Sequence, residues 1–297
     1  MEASLPLKHY DQGHIIHKTS SSELSLVCHR KSQKLRLLKR VKPCGVARAL
    51  NEVRFLQILK GHANILKLKG ATHGPFGALL VTEICHGGDL MSVLLARTRF
   101  PELEAGLLMK QLFLALSQLH SRGLVHRDIR PENILFAHDR PDSQIKLSGF
   151  DFACEQSTKP TSMAGSPLYM APEVSFGRGK DFSRDIWSCG VVLFMLLTSK
   201  SLFGGHYKDE EILNTVANTS QAAINKKLKH WQDRRKLSDT VLDLLRQMLS
   251  VDPAARPSVS DCLAHPWIQR NGWESEDDVD GENEEVASTT SSLESLL

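Results

Sequence analysis

Residues 124–135 read LVHRDIRPENIL and gather Asp128, Arg130, Glu132 and Asn133 into one short stretch. Carboxylates, a carboxamide and a cation at such spacing are the residue types that move protons, ligate hard cations and neutralise anions. A lone Asp in a loop is more often a turn former, so the stretch means little without its neighbours. Further polar groups sit in AGSPLYMAPE at 164–173, DIWSCGVVLFMLL at 185–197 and DPAARPSVSDCLAHPWI at 252–268, which add Ser166, Glu173, Asp185 and Arg256. IKLSGFDFAC at 145–154 places Gly149 two residues ahead of Asp151.

Those four blocks, in that order, resemble the protein-kinase catalytic domain. The resemblance covers about Tyr10 to Gln269 and, through GGDL, RPEN and HPW, is most similar to the calcium/calmodulin-dependent-kinase branch. It implies an α+β, bilobal fold, with a small β-rich lobe carrying one helix at about 10–84 and a larger α-helical lobe at about 85–269. No EF-hand loop follows, so no calcium-binding module is expected in the sequence.

Roles follow from the resemblance residue by residue. Asp128 matches the base that accepts the substrate hydroxyl proton, and Asn133 matches a ligand of the second magnesium ion. Arg130 stands where the family has a Lys near the transferring phosphate, and Ser166 matches a Thr beside the base. Lys39 in LRLLKRV matches the phosphate-gripping Lys, with Glu52 as its helix partner; Glu83, Cys85 and Leu135 fall at positions around the adenine. Asp89 and Glu132 match carboxylates that select Arg or Lys upstream of the phosphorylated residue. Glu173 and Arg256 match a buried ion pair, and Asp185, Trp187 and Gly190 match the helix that anchors the catalytic loop. Thr158, Thr161 and Ser162 are candidate phosphorylation sites in the activation segment.

Three departures fall on the nucleotide. HKTSSS at 17–22 replaces the family's GxGxxG and contains no Gly, although close approach of backbone to phosphate calls for one. Leu37 replaces an Ala and, by strand alternation, shares the face of Lys39 and crowds the adenine slot. GFD at 149–151 stands where the family writes DFG. In one register Gly149 replaces the metal-binding Asp and the ligand is lost. In the other, Asp151 heads a shifted triplet and keeps it. Two residues of strand span ~6.6 Å, against a magnesium–oxygen bond of ~2.1 Å, so the first register is favoured.

The elements that must hold these residues can be read from periodicity. Residues 10–41 alternate apolar and polar positions as strands do, and Val46 to Leu59 shows a helical stripe of Val46, Leu50, Val53, Leu56 and Leu59. Beyond Pro101, helical periods run over 102–121, 184–199, 209–219 and 238–250. At 297 residues, 41% apolar and 24% charged, the chain can bury a substantial core. Six irregularly spaced Cys predict reduced thiols and an intracellular protein, cytoplasmic or also nuclear. The N-terminal extension, 1–9, has no signal-peptide pattern, and the apolar run at 189–198 is too short for a bilayer, so no membrane is expected.

Charge is unevenly spread. Nine acids and no Lys or Arg fall within 271–297, so a chain of net charge +3 carries +12 over the rest. The acidic, Ser-rich segment 270–297 is expected to be disordered. Basic residues elsewhere are scattered without stacking aromatics, which argues against nucleic acid. Together these features predict a pseudokinase or very weak kinase acting as a binding or regulatory module on a protein partner, with ATP held weakly or not at all and magnesium resting on Asn133 and Asp151. The alternative is an active ATP-dependent serine/threonine kinase that prefers basic substrates.

Overall fold

The computed structural model describes residues 9–97, 99–140, 142–157, 165–177, 182–204 and 208–269. The segment 270–297 and the candidate sites Thr158, Thr161 and Ser162 lie outside the described residues. Strands β1 (Tyr10–Lys18), β2 (Ser22–His29), β3 (Lys34–Val41), β4 (Leu68–Gly74) and β5 (Gly77–Thr82) form one antiparallel sheet of order β1-β2-β3-β5-β4. Alternation along β3 divides its two faces. Leu38 joins Val27 and Val81 in one small core, whereas Val41 packs with Ala49, Ala78 and Leu80 beneath helix α1 (Val46–Ile58). Leu37 and Lys39 therefore share the face that looks toward α1 and the cleft.

Helix α1 buries Ala49, Glu52, Phe55 and Leu56. The stripe is centred on a carboxylate rather than on the apolar residues alone, and this corrects the predicted stripe: Leu50 is exposed. A Glu in a buried stripe signals a partner, since an unpaired buried carboxylate is costly.

From β5 the chain passes through 83–89 into α2 (Leu90–Ala96), then α3 (Glu102–His120). Short strands β6 (Leu124–Val125), β7 (Ile134–Phe136), β8 (Ile145–Leu147) and β9 (Cys154–Glu155) pair β6 with β9 and β7 with β8, and so bracket the catalytic-loop sequence. Helices α4 (Ser183–Thr198), α5 (Asp209–Ala217), α6 (Gln221–Arg235), α7 (Asp239–Met248), α8 (Val259–Ala264) and α9 (Pro266–Gln269) complete the larger lobe. The predicted helices match within a residue or two. Helix α6 carried no apolar signal, because it buries only Ile224 and Leu228.

One ion pair ties this lobe together. Arg256 Nη1 and Nη2 each donate to a Glu173 oxygen at 2.7 Å, with the guanidinium over the Trp187 ring at 4.9 Å. Removing either partner would strand a buried charge, at ~3–5 kcal/mol. No helix among the described residues is long and apolar enough to cross a membrane, and all six cysteines are free thiols.

Candidate active site

The catalytic loop is shaped by Asp185 at the start of α4. Its carboxylate accepts the N–H groups of His126 and Arg127, both at 2.9 Å, and the ring of His120 at 3.1 Å. Burial would push this carboxyl up, but the His120 hydrogen bond and the neighbouring imidazoles hold it below the usual range. Arg127 sits at φ +72°, a conformation that side chains disfavour, and the two accepted N–H groups fix it there. His126 is fully buried, which lowers its pKa against the opposing fields of Asp185 and Asp128. Its Nδ1 accepts from the Asp128 N–H at 3.3 Å, so the proton resides on Nε2 and is donated to the Ser148 carbonyl at 2.9 Å.

Asp128 emerges from this framework with its carboxyl raised, chiefly by burial. Such a shift suits a group that must take up a proton near neutral pH. Its Oδ1 accepts from Ser166 at 3.2 Å, but from the main-chain N–H, not through the hydroxyl that the sequence singled out. Arg130 is engaged by its neighbour Glu132. It donates from Nε to Glu132 Oε2 at 2.8 Å and from a second nitrogen to Oε1. That fork raises Arg130, and against the effect of burial it holds Glu132 below its ordinary value. Asp89 is likewise engaged: it caps α2 by accepting from the Ser92 N–H at 2.8 Å and from the Ser92 hydroxyl at 3.0 Å.

The GFD turn is where the site departs most. Gly149 is left-handed at φ +77°, and a Cβ there would lie 2.4–2.5 Å from the carboxamide atoms of Asn133. Asn133 thus fills the space where a side chain at 149 would begin. Its Nδ2 donates to both the main-chain oxygen and Oδ2 of Asp128, each at 2.8 Å. Phe150 is fully buried, edge-on to His126 at 4.7 Å. Asp151 follows in a short 3-10 turn, part-buried; its negative charge raises Lys39 and Asp128, so it belongs to the cleft electrostatically.

Across the cleft, Lys39 Nζ contacts Glu52 Oε2 at 2.7 Å. Burial alone would lower Lys39, but the Glu52 charge and hydrogen bond, with Asp151, hold it above its ordinary value. A residue that the sequence reading passed over locks this arrangement. Asn51 Nδ2 lies 3.4, 3.1 and 2.8 Å from the carbonyl oxygens of Phe150, Asp151 and Ala153 and so pins α1 to the turn. Arg48 stacks over Phe152 at 4.9 Å, and Arg54 pairs with Glu155. A polar residue adjacent to Glu52 on α1 was the available signal.

The remaining predicted residues line the cleft unevenly. Leu37 is half-buried beside Lys39 in β3, and Leu135 in β7 packs part-buried against the large core. Burial, reinforced by Glu83, pushes the Cys85 thiol up to about 12, so it is inert packing. The Glu83 carboxylate turns to the back of the lobe connection, where it accepts the Lys67 N–H at 2.9 Å. In the turn after β1, the Thr19 hydroxyl accepts the N–H groups of Ser22 at 3.0 Å and Ser21 at 3.3 Å, and its oxygen lies 3.0 Å from Ser22 Oγ. Amides that could cradle a phosphate are therefore already committed.

These donors do not fit a magnesium ion. Position 149 offers no side-chain oxygen, Asn133 donates to Asp128 from Nδ2 and can offer only the neutral Oδ1, and among the described residues no three His, Cys, Asp or Glu cluster as ligands. For ATP, Lys39 and Glu52 are in place, Leu37 shares their face of β3, and the Thr19 turn has its own amides bonded.

The model for the protein kinase domain matches residues 10–268. Calcium-dependent protein kinase 25 of Arabidopsis thaliana is 34% identical over 225 residues, covering 74% of this chain and 41% of that protein. Calcium-dependent protein kinase 3 of Plasmodium yoelii yoelii is 34% identical over 248 residues, covering 80% of this chain and 44% of that protein. Serine/threonine-protein kinase DCLK3 of Mus musculus is 30% identical over 270 residues, covering 89% and 33%. The chain thus spans less than half the length of these relatives. With its bilobal fold, it belongs to the protein kinase family, as a serine/threonine-type catalytic domain of the calcium/calmodulin-dependent-kinase-like branch.

Proposed function

We propose that this domain is a pseudokinase: a kinase-fold module that regulates a protein partner through its surface and performs no magnesium-dependent phosphoryl transfer. The observation that carries the reading is the Asn133 carboxamide lying over Gly149 and bonded to Asp128. The family's charge-neutralising metal has lost one carboxylate ligand at Gly149, and Asn133, whose Nδ2 is held on Asp128, is left to offer a single neutral oxygen, Oδ1. Because phosphoryl transfer depends on positioning and charge neutralisation, losing the metal removes most of what the fold could contribute. Intact fold-holding groups, Glu173–Arg256 and Asp185, support retention of the shape.

A second reading, a slow serine/threonine kinase, is favoured by the closed Lys39–Glu52 pair and the raised carboxyl of Asp128. Radiolabelled ATP with the full-length protein and Ser/Thr peptides distinguishes the two. The pseudokinase reading predicts no transfer above an Asp128→Asn control. Asp128-dependent transfer above that control, even far below the usual ~1–100 per second, would overturn it in favour of the slow kinase.

A further inference from the structure

Behind the lobe connection the fold gathers cations with little to neutralise them. A cavity of about 180 Å³ is lined by Lys60, His62, Lys67 and Lys146, and Glu83 is its one acid. Glu83 is already committed to the Lys67 N–H at 2.9 Å and to Lys146 at 3.7 Å. Lys69, exposed on the adjoining strand β4, adds to the same surface. Burial and then the fields of Lys67, Arg36 and Lys34 lower its pKa, with Glu83 the only acid opposing them. His62 is lowered by burial and by Lys146. These cations repel one another, and an anion seated among them would relieve that repulsion.

The described chain ends within reach. Helix α9 is fixed at the start of α3, where Trp267 Nε1 donates to Glu102 at 3.1 Å. Further along α3, Gln111 Oε1 accepts from Asn64 Nδ2 and from the Ile145 N–H, each at 3.0 Å, beside Ala63 and Lys146 of the cavity. Nine residues of helix separate Glu102 from Gln111, about 14 Å at ~1.5 Å per residue. Past Gln269, an extended chain covers about 17 Å by Glu274 and about 36 Å by Asp280. The stretch 274–285, ESEDDVDGENEE, carries eight carboxylates and no cation.

We propose that the acidic segment 274–285 docks in cis on the basic surface formed by the exposed Lys60, Lys67 and Lys69, over the back of the lobe connection. The contact is electrostatic and independent of whether the domain transfers phosphate. It covers Glu83 from behind, where the chain leaves β5 for the lobe connection.

Carbodiimide coupling of carboxylates to lysines in the full-length protein, read by mass spectrometry on an equal mixture of ¹⁵N-labelled and unlabelled chains, tests it. At low salt, couplings from 274–285 should concentrate on Lys60, Lys67 and Lys69, join residues of one label, and be lost near ~1 M salt, where the Debye length is ~3 Å. Couplings spread evenly over other lysines, mixed-label products in excess, or insensitivity to salt would overturn the proposal. A second arm leaves the folded domain untouched: converting the acids of 274–285 to amides should raise acetylation of Lys67 and Lys69 several-fold. Unchanged acetylation rates would equally overturn it.

Discussion

Restoring the family's acid at position 149 should damage this protein rather than repair it. A Cβ at Gly149 meets Asn133 Cγ at 2.4 Å and its Nδ2 and Oδ1 at 2.5 Å, from a backbone at φ +77°. A left-handed backbone costs an L-residue ~1–2 kcal/mol, and overfilling a packed site adds ~1–3 kcal/mol. Asn133 can swing aside only by giving up its two bonds to Asp128, at 2.8 Å each. Gly149→Ala should therefore lose about 2–5 kcal/mol, and Gly149→Asp a similar amount, since both carry the offending Cβ. At roughly 2–4 °C per kcal/mol, Tm falls by roughly 4–20 °C. The assay is denaturant unfolding of Gly149→Ala, Asn133→Ala and the double variant. Because Asn133 is the obstacle, the double variant should lose less than the two single losses combined, by about 1–2 kcal/mol. Gly149→Ala within ~0.5 kcal/mol of the parent, or strict additivity in the cycle, would refute the reasoning.

Asn51→Ala should cost about 1–2 kcal/mol and speed amide exchange at 150–153, since Asn51 is bonded to the carbonyls of that turn; unchanged exchange there would count against the lock. Basic and acidic Ser peptides should bind with nearly equal affinity by fluorescence anisotropy, because Glu132 is held by Arg130 and Asp89 caps α2; Arg130→Met should then shift preference toward basic peptides, and a strong basic preference in the parent would contradict this. His126 has its pKa lowered by burial, so the stability it contributes is full above ~6.5 and is lost as pH falls through its folded value. Denaturant midpoints should accordingly decline from pH 7.5 toward 5.5, and a flat profile would exclude the buried neutral imidazole.

Much of this was legible in the sequence, for physical reasons that differ by region. Helices α3, α4 and α7 announce themselves because each presents a long apolar face to one core. The stripe of α1 was misread at Leu50 because its centre is Glu52, and a carboxylate that is buried only by virtue of Lys39 carries no hydrophobic signal. Helix α6 carries no such signal because its apolar stripe is thin, Ile224 and Leu228 among lysines. In the site, residue identities located Asp128, Lys39 and Gly149, but not their hydrogen-bond partners. Arg130 and Glu132, two positions apart, could equally have faced substrate; only the folded loop turns them on each other. Nor does HKTSSS by itself reveal that Thr19 would close the turn on its own amides.

The most direct test is ATP affinity by isothermal titration of the full-length protein, in excess magnesium and again in EDTA. A site in which Gly149 offers no side-chain carboxylate and Asn133 only a neutral oxygen predicts the same dissociation constant in both buffers, within a factor of about two to three. Losing even the groups that merely orient a metal's ligands costs a site ~10–100-fold, so loss of a direct ligand should remove any metal dependence. A tenfold or greater gain in ATP affinity on adding magnesium would contradict the account.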